Sequence, residues 1–190
     1  MPPQTEILVD SNSYFRLAQS IHPLLKSEFG KARYCLYVTK ELQEEYDRSP
    51  RLKNSFHWVN GPEYKENRSG QLNISRKQSR DIEHTYQFIL GFARSAFPGV
   101  SRIDVRGLSY AKVLGIAIVT DDGDMLEVAK AFSIRTLTTL ELLKLMLDCE
   151  HIDVTKVREI ASYWEYLNDK PKLFEQQYKK LFNEDPPKET

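Results

Sequence analysis

Cysteines and long apolar runs are scarce in this sequence. Its 190 residues include only Cys35 and Cys149, too few for a disulfide framework or a zinc-finger spacing. No apolar run is long enough to span a bilayer, and the first residues lack the apolar segment of a signal peptide. We therefore expect a cytoplasmic protein that does not associate with membranes.

An excess of charge of one sign is also absent, because Lys and Arg number 27 together and so do Asp and Glu. Any basic surface that binds nucleic acid must therefore be local. The sequence has neither a phosphate-binding P-loop nor a glycine-rich dinucleotide turn. No serine or cysteine stands out as a nucleophile, and none of the four histidines follows a predicted strand.

Short apolar runs alternate with segments of helical periodicity. Strands are predicted at residues 6–9, 33–38, 116–119 and 134–137. Helices are predicted at residues 14–25, 40–49, 74–96, 104–114, 125–132, 139–147, 153–168 and 171–182. Because strands that alternate with helices pair in parallel through right-handed crossovers, the pattern indicates an α/β fold with a mainly parallel sheet.

Residues 116–124 are the most informative stretch. Four apolar residues, typical of a strand buried on both faces, run directly into a threonine and three aspartates. Carboxylates at the end of a parallel strand lie where open α/β sheets bind ligands. Their mutual repulsion would be relieved by a hard divalent cation, Mg²⁺ or Mn²⁺. The alternative is a polar turn in which an aspartate caps the next helix.

Four acids stand at comparable positions. Asp10 follows the first strand, Glu45 lies on the helix after the second, Asp104 opens the helix before residues 116–119, and Asp122 follows them. Because neighbouring parallel strands end at one edge of a sheet, these acids can converge there. Such a cluster can hold one or two cations that activate water against a phosphodiester.

The most basic stretch lies between residues 50 and 80. Residues 63–71 are polar and are predicted to form a loop that leads into a helix. This loop is either simply solvated or part of a surface that binds an RNA backbone, with aromatic rings to stack on bases. The basic residues are Arg68, Arg76, Lys77 and Arg80, and the aromatic ones are Phe56, Trp58 and Tyr64.

Several motifs together resemble the PIN-domain family of metal-dependent ribonucleases. They are Asp10-Ser11-Asn12 after a strand, the glutamate-rich residues 38–46, Asp104 eleven positions before Gly115, and residues 119–124. The last is similar to the family's threonine–any–aspartate–any–aspartate signature. The resemblance covers about residues 6–147. It implies a three-layer α/β/α sandwich, with a nuclease domain at 1–150, a helical insertion at about 50–100, and a C-terminal helical extension at 151–190.

The resemblance also implies the roles of individual residues. The metal ligands would be Asp10, Asp104, Asp122 and Glu45, the last of which binds metal or positions water, and the catalytic set would add Asp124 as a supporting acid. The supporting polar residues would be Thr120 and Asn12. Asp121 falls at the variable position and is not expected to be a ligand, whereas Glu41 and Glu44 are the substitutes for Glu45.

The activity implied is hydrolysis of single-stranded RNA by metal-activated water. If the chain is the toxin of a toxin–antitoxin pair, an antitoxin protein is a partner, and a homodimer is a further alternative. Other functions stay open: a PIN-like module that binds without catalysis, and a structure-specific DNA nuclease. A receiver domain and a haloacid-dehalogenase-like phosphatase also use aspartates at strand ends, but the latter needs Asp-x-Asp where this chain has Asp10-Ser11-Asn12.

Overall fold

The computed structural model describes residues 3–187, in which four short strands form one parallel sheet of order β2-β1-β3-β4. The strands are β1 (Thr5–Val9), β2 (Tyr34–Tyr37), β3 (Ala117–Val119) and β4 (Thr136–Leu137). Ile7 of β1 pairs with Leu36 on one side and with Ala117 on the other. Val119 pairs with Leu137. The parallel α/β sheet predicted from the sequence is confirmed.

Ten α-helices surround this sheet within residues 3–187. They are α1 (Ser11–Leu17), α2 (Glu41–Arg48), α3 (Pro50–Ser55), α4 (Pro62–Arg68), α5 (Arg76–Ala96), α6 (Arg102–Leu114), α7 (Gly123–Ala131), α8 (Thr139–Asp148), α9 (Val154–Tyr166) and α10 (Phe174–Phe182), with a short 3-10 helix at His57–Asn60. No helix in the described part of the chain combines the length and the apolarity needed to cross a bilayer.

The sheet lies between two separate apolar cores. Successive residues of a strand point to opposite faces, so Ile7 and Val9 enter one core while Leu8 enters the other. The first core is completed by α1, α2, α8, α9 and α10, and the second by α5, α6 and α7. This arrangement is the three-layer α/β/α sandwich expected from the sequence.

The first predicted helix is shorter in the structure. Helix α1 ends at Leu17, and the chain continues through turns to Leu25 instead of remaining helical. Pro23 lacks an N–H group and restrains the residue before it, so one regular helix could not run through to residue 25. Ile21 and Leu25 are still buried, so the apolar periodicity of residues 14–25 reflects burial and not one continuous helix.

The prediction of a loop at residues 63–71 is wrong, because α4 occupies most of this segment. Pro62 stands in the first turn of this helix, where its missing N–H group has no cost. Asn67 is buried: its Oδ1 accepts a hydrogen bond from the Leu25 N–H group at 3.1 Å, and its Nδ2 donates to the Leu25 carbonyl at 2.7 Å. This distant contact stabilises a helix that has no apolar periodicity of its own.

The two C-terminal helices are part of the first core. Trp164 of α9 and Tyr178 of α10 are fully buried, and both belong to the apolar cluster that contains Ile7. We therefore describe α9 and α10 as packed on the sandwich. Of the predicted units at 1–150 and 151–190, residues 1, 2 and 188–190 lie outside the described residues.

Candidate active site

Two of the predicted acids begin helices at the same edge of the sheet. Asp10 follows β1, and its Oδ1 accepts a hydrogen bond from the Ser13 N–H group at 2.6 Å, which caps α1. Asp122 follows the neighbouring β3, and its Oδ1 accepts from the Met125 N–H group at 2.8 Å, which caps α7. The capping turn that we gave as the alternative interpretation of Asp122 is therefore present, and it holds the carboxylate at the strand end.

The third acid, Asp104, lies in the first turn of α6. Its Oδ2 accepts a hydrogen bond from the Ser101 N–H group at 2.9 Å, and the Ser101 hydroxyl accepts from the Asp104 N–H group at 3.1 Å. This reciprocal capping box fixes the start of α6. Gly115 ends the helix in a left-handed conformation, with a φ of +67°, directly after the predicted end of the helix at residue 114.

The electrostatics of the site join all four acids. Burial raises the pKa of Asp10 from 3.8 to about 6, and the negative charge of Asp104 contributes to this rise. Burial also raises the pKa of Asp104, with a contribution from Asp122. The pKa of Glu45 is raised by burial and by the charge of Asp104, although a hydrogen bond with Ser11 and the positive charge of Arg51 oppose the change. Asp104 thus lies within electrostatic range of the other three acids.

Helix α2 turns two of its glutamates inward. One carboxylate oxygen of Glu45 and one of Glu41, Oε2 in each, are buried without a hydrogen-bond partner among residues 3–187. Glu44 is exposed instead, and it pairs with Arg48 at 3.5 Å. Of the three glutamates that the sequence offered, Glu44 therefore points away, while Glu45 is the one that interacts with Asp104.

Three further candidates surround the acids. Thr120 is fully buried, its Oγ1 accepts a hydrogen bond from the Asp122 N–H group at 3.2 Å, and its contact with Asp10 partly offsets the rise in that pKa. Asn12 is exposed on the first turn of α1. Asp124 is exposed on α7 and lies next to Gly99. Its Oδ2 would be 3.1 Å from a Cβ atom placed on that glycine. Thr120 thus joins Asp10 to Asp122.

Asp121 is occupied by other contacts. Its Oδ2 lies 2.5 Å from Nη1 of Arg16, in an ion pair whose two side chains are only 12% and 11% exposed. Thr139 donates to both of its oxygens, through the N–H group at 2.9 Å and through the hydroxyl at 2.6 Å. These contacts agree with the expectation that Asp121 is not a ligand. Arg16 has no local sequence signal, because 105 positions separate the two residues.

A cleft of about 430 Å³ opens beside Asp122. Its walls come from α1, from α3, from the turn between β3 and α7, and from residues 169–172 between α9 and α10. Four cationic side chains line it, and sequence reasoning identified none of them: Arg16, Arg51, Lys170 and Lys172.

The basic residues predicted to bind nucleic acid do not line this cleft. Arg68 is engaged within the protein, because its guanidinium donates to the Tyr14 hydroxyl at 3.0 Å and to the Gln43 Oε1 at 2.8 Å. The other three lie exposed on the first turns of α5: Arg76, Lys77 and Arg80. Among the aromatic residues, Tyr64 packs against Trp58, with ring centroids 4.6 Å apart.

The acids do not form a closed metal cage. Across residues 3–187, no three His, Cys, Asp or Glu side chains are close enough together to hold a metal ion by themselves. Mg²⁺ nevertheless binds in many enzymes through one or two carboxylates together with water and substrate phosphates. The donor set fits such a cation, since it consists of carboxylate oxygens and includes the buried, unpartnered Oε2 of Glu45.

Comparison with solved structures finds a weak similarity to a chain of known fold. A chain from the crystal structure of FitAcB from Neisseria gonorrhoeae resembles this one with a TM-score of 0.45 and 14% sequence identity, over 70% of this chain and 97% of that chain. No protein-family model and no curated protein matches the sequence. Because a fold hosts many functions, the chemistry has to be argued from the residues of the site.

Proposed function

We propose that this chain is a PIN-like endoribonuclease that cleaves single-stranded RNA with the help of Mg²⁺ or Mn²⁺. The observation that carries the proposal is the buried Oε2 of Glu45, which has no hydrogen-bond partner within residues 3–187, on a side chain that interacts electrostatically with Asp104. A buried carboxylate oxygen without a donor is costly, and a cation satisfies it.

In this proposal three aspartates, two after strands and one in the first turn of α6, hold the cation. Asp10, Asp104 and Asp122 would be its ligands, directly or through bound water, and Glu45 would either join them or accept a proton from the attacking water. A bound divalent cation supplies an acidified water and stabilises negative charge on the phosphodiester. Asp124 supports the site, Thr120 holds Asp10 and Asp122 in register, and Asn12 lies at the rim.

The wider setting follows from the resemblance of the sequence motifs to the PIN-domain family. We propose a cytoplasmic enzyme with its nuclease domain at 1–150 and a helical extension at 151–190. Basic residues would contact the RNA outside the cleft: Arg68, Arg76, Lys77 and Arg80. A toxin of this type would have an antitoxin protein as its partner, and a homodimer is compatible with the same chemistry.

The direct test is cleavage of a labelled single-stranded RNA and a DNA of the same sequence. We expect wild type to cleave the RNA with Mn²⁺ and not with EDTA, and we expect Asp122→Asn to lose cleavage, because asparagine keeps the cap on α7 and removes the charge. Glu44→Gln is the matched control, since Glu44 is exposed. Cleavage that persists in EDTA or in Asp122→Asn would contradict the proposal, and preferential cleavage of DNA would favour a DNA nuclease.

A second candidate is a PIN-like module that binds without catalysis. It is favoured by one observation, the absence of a closed metal cage among residues 3–187. Thermal unfolding with Mn²⁺ separates the two functions, because a ligand that binds only the native state raises its stability. A melting temperature that does not respond to Mn²⁺, together with no cleavage of either strand, would favour the binding module.

A further inference from the structure

The cleft beside Asp122 has a cationic side chain next to the predicted metal site. A Cβ atom placed on Gly123 would lie 3.9 Å from Nζ of Lys172, so the lysine ammonium lies over the first turn of α7. Asp122 caps this same turn. Lys172 comes from the C-terminal extension, and a segment remote in sequence therefore reaches the edge of the acidic site.

The cations in the cleft fall into two groups. Arg16 is neutralised by Asp121 and by Asp169, and Lys170 pairs with Glu165. Arg51 and Lys172 are exposed, and neither forms an ion pair within residues 3–187, although Arg51 is close enough to Glu45 to influence its pKa. These two side chains are therefore available to an anionic ligand.

The segment that carries Lys172 is fixed in place. Asp169 accepts two hydrogen bonds from the Arg16 guanidinium, at 2.9 and 3.3 Å, and its N–H group donates to the Trp164 carbonyl at 3.0 Å. Pro171 is buried. Because the backbone beside Lys172 is held by these contacts, binding of a phosphate would have to order only the lysine side chain.

The wall of the cleft formed by α3 and Phe56 offers apolar surface. Phe56, beside α3, lines the cleft and stacks on Phe15 of α1, with ring centroids 4.8 Å apart and planes inclined by 11°. Arg51 lies on α3, the same wall of the cleft. Phe56 is partly exposed. A groove that joins cations with a partly exposed aromatic ring is typical of surfaces that bind single-stranded nucleic acid, where phosphates meet the cations and bases meet the ring.

We propose that this cleft binds the strand of single-stranded RNA next to the scissile phosphate, with Arg51 and Lys172 as its phosphate contacts. The inference rests on the function proposed above, because it takes RNA as the substrate. It gives the C-terminal extension a part in substrate binding, and it assigns the phosphate contacts nearest the acids to residues other than the basic ones singled out from the sequence.

The test is binding of a fluorescently labelled single-stranded RNA in EDTA, measured by anisotropy over a series of salt concentrations. Lys172→Gln and Arg51→Gln remove one charge each. Their matched controls are Lys180→Gln and Lys53→Gln, which remove the same charge from exposed residues of α10 and α3 that do not line the cleft. Unchanged melting temperatures would show that all four variants fold.

We expect each cleft variant to weaken binding roughly fivefold and to reduce the slope of log K against log salt by about 0.7, the effect of losing one phosphate contact to a single strand. The controls should bind as wild type does. Equal affinities in all four variants, or an equal loss in the controls, would overturn the inference. So would a wild-type protein that does not bind RNA.

The outcome for the cleft is separate from the outcome for catalysis. If Asp122→Asn abolishes cleavage while Lys172→Gln and Arg51→Gln bind RNA as wild type does, the nuclease stands and the cleft assignment is wrong. If the cleft variants lose affinity while the wild type cleaves no RNA with Mn²⁺, the binding surface stands and the nuclease does not.

Discussion

Replacement of Asp10 by asparagine should stabilise the protein in the absence of metal. In the native state burial raises the pKa of this carboxyl to about 6, against an ordinary value of 3.8. At a pH well above 6 the ionised side chain therefore opposes folding, and the difference corresponds to about 3 kcal/mol in the free energy of unfolding. Asparagine removes the charge and keeps the cap on α1, since Asn and Asp are equally good capping residues.

The raised pKa of Asp10 also determines how the stability of the wild-type protein changes with pH. Between the pKa of the unfolded chain and about 6, the native protein holds a proton that the unfolded chain has released, so wild-type stability falls as pH rises through this range. The asparagine side chain of the variant does not titrate. The advantage of the variant should therefore grow from below about 1 kcal/mol near pH 4 to about 3 kcal/mol near pH 8.

Thermal unfolding in EDTA, followed by circular dichroism across this pH range, measures the effect. For a chain of this size each kcal/mol shifts the melting temperature by about 2–4 °C, so Asp10→Asn should melt roughly 6–12 °C above wild type near pH 8. Asp121→Asn is the control: its melting temperature should fall below that of wild type, because the substitution leaves Arg16 without one of its partners. A loss of stability in Asp10→Asn, or a gain that does not change with pH, would refute the reasoning.

Two further predictions concern the glutamates of α2 and the ion pair of Arg16. Glu45→Gln should lose metal-dependent RNA cleavage while Glu44→Gln keeps it, because Glu45 has a buried oxygen and interacts with Asp104, whereas Glu44 is exposed; equal rates in the two variants would contradict this assignment. Arg16→Ala should lower the free energy of unfolding by about 3 kcal/mol, measured with urea, because it leaves the largely buried carboxylate of Asp121 without its cation. A loss below about 1 kcal/mol would show that this ion pair does not stabilise the fold.

The sheet and the acids could be predicted because their signals are local. Asp10 and Asp122 each follow closely on an apolar run, and parallel pairing alone brings such strand ends to one edge. Gly115 follows an apolar-periodic segment, and its left-handed conformation ends α6 where the pattern indicates. The strands, the acids that follow them and the end of α6 each depend on neighbours within a few positions, which is the range that periodicity and capping describe.

The cleft could not be predicted, because it depends on distant partners. Arg16 contacts Asp169 across 153 positions, and this contact helps to bring Lys172 to the acidic edge. Nothing in the composition of residues 169–172 distinguishes them from any polar turn. In the same way α4 depends on the bonds between Asn67 and Leu25, and its own sequence is typical of a loop.

Helix capping and metal binding are compatible roles for these acids. The caps on α6 and α7 use Oδ2 of Asp104 and Oδ1 of Asp122, which leaves the other oxygen of each carboxylate without a hydrogen bond to residues 3–187. The positive ends of the two helices offset part of the repulsion between the carboxylates. The fold can therefore hold like charges together before a cation arrives, and the raised pKa of Asp10 reflects the desolvation and repulsion that remain. A cation that relieves this cost should stabilise the fold as it binds, and so metal binding and thermal stability should rise together.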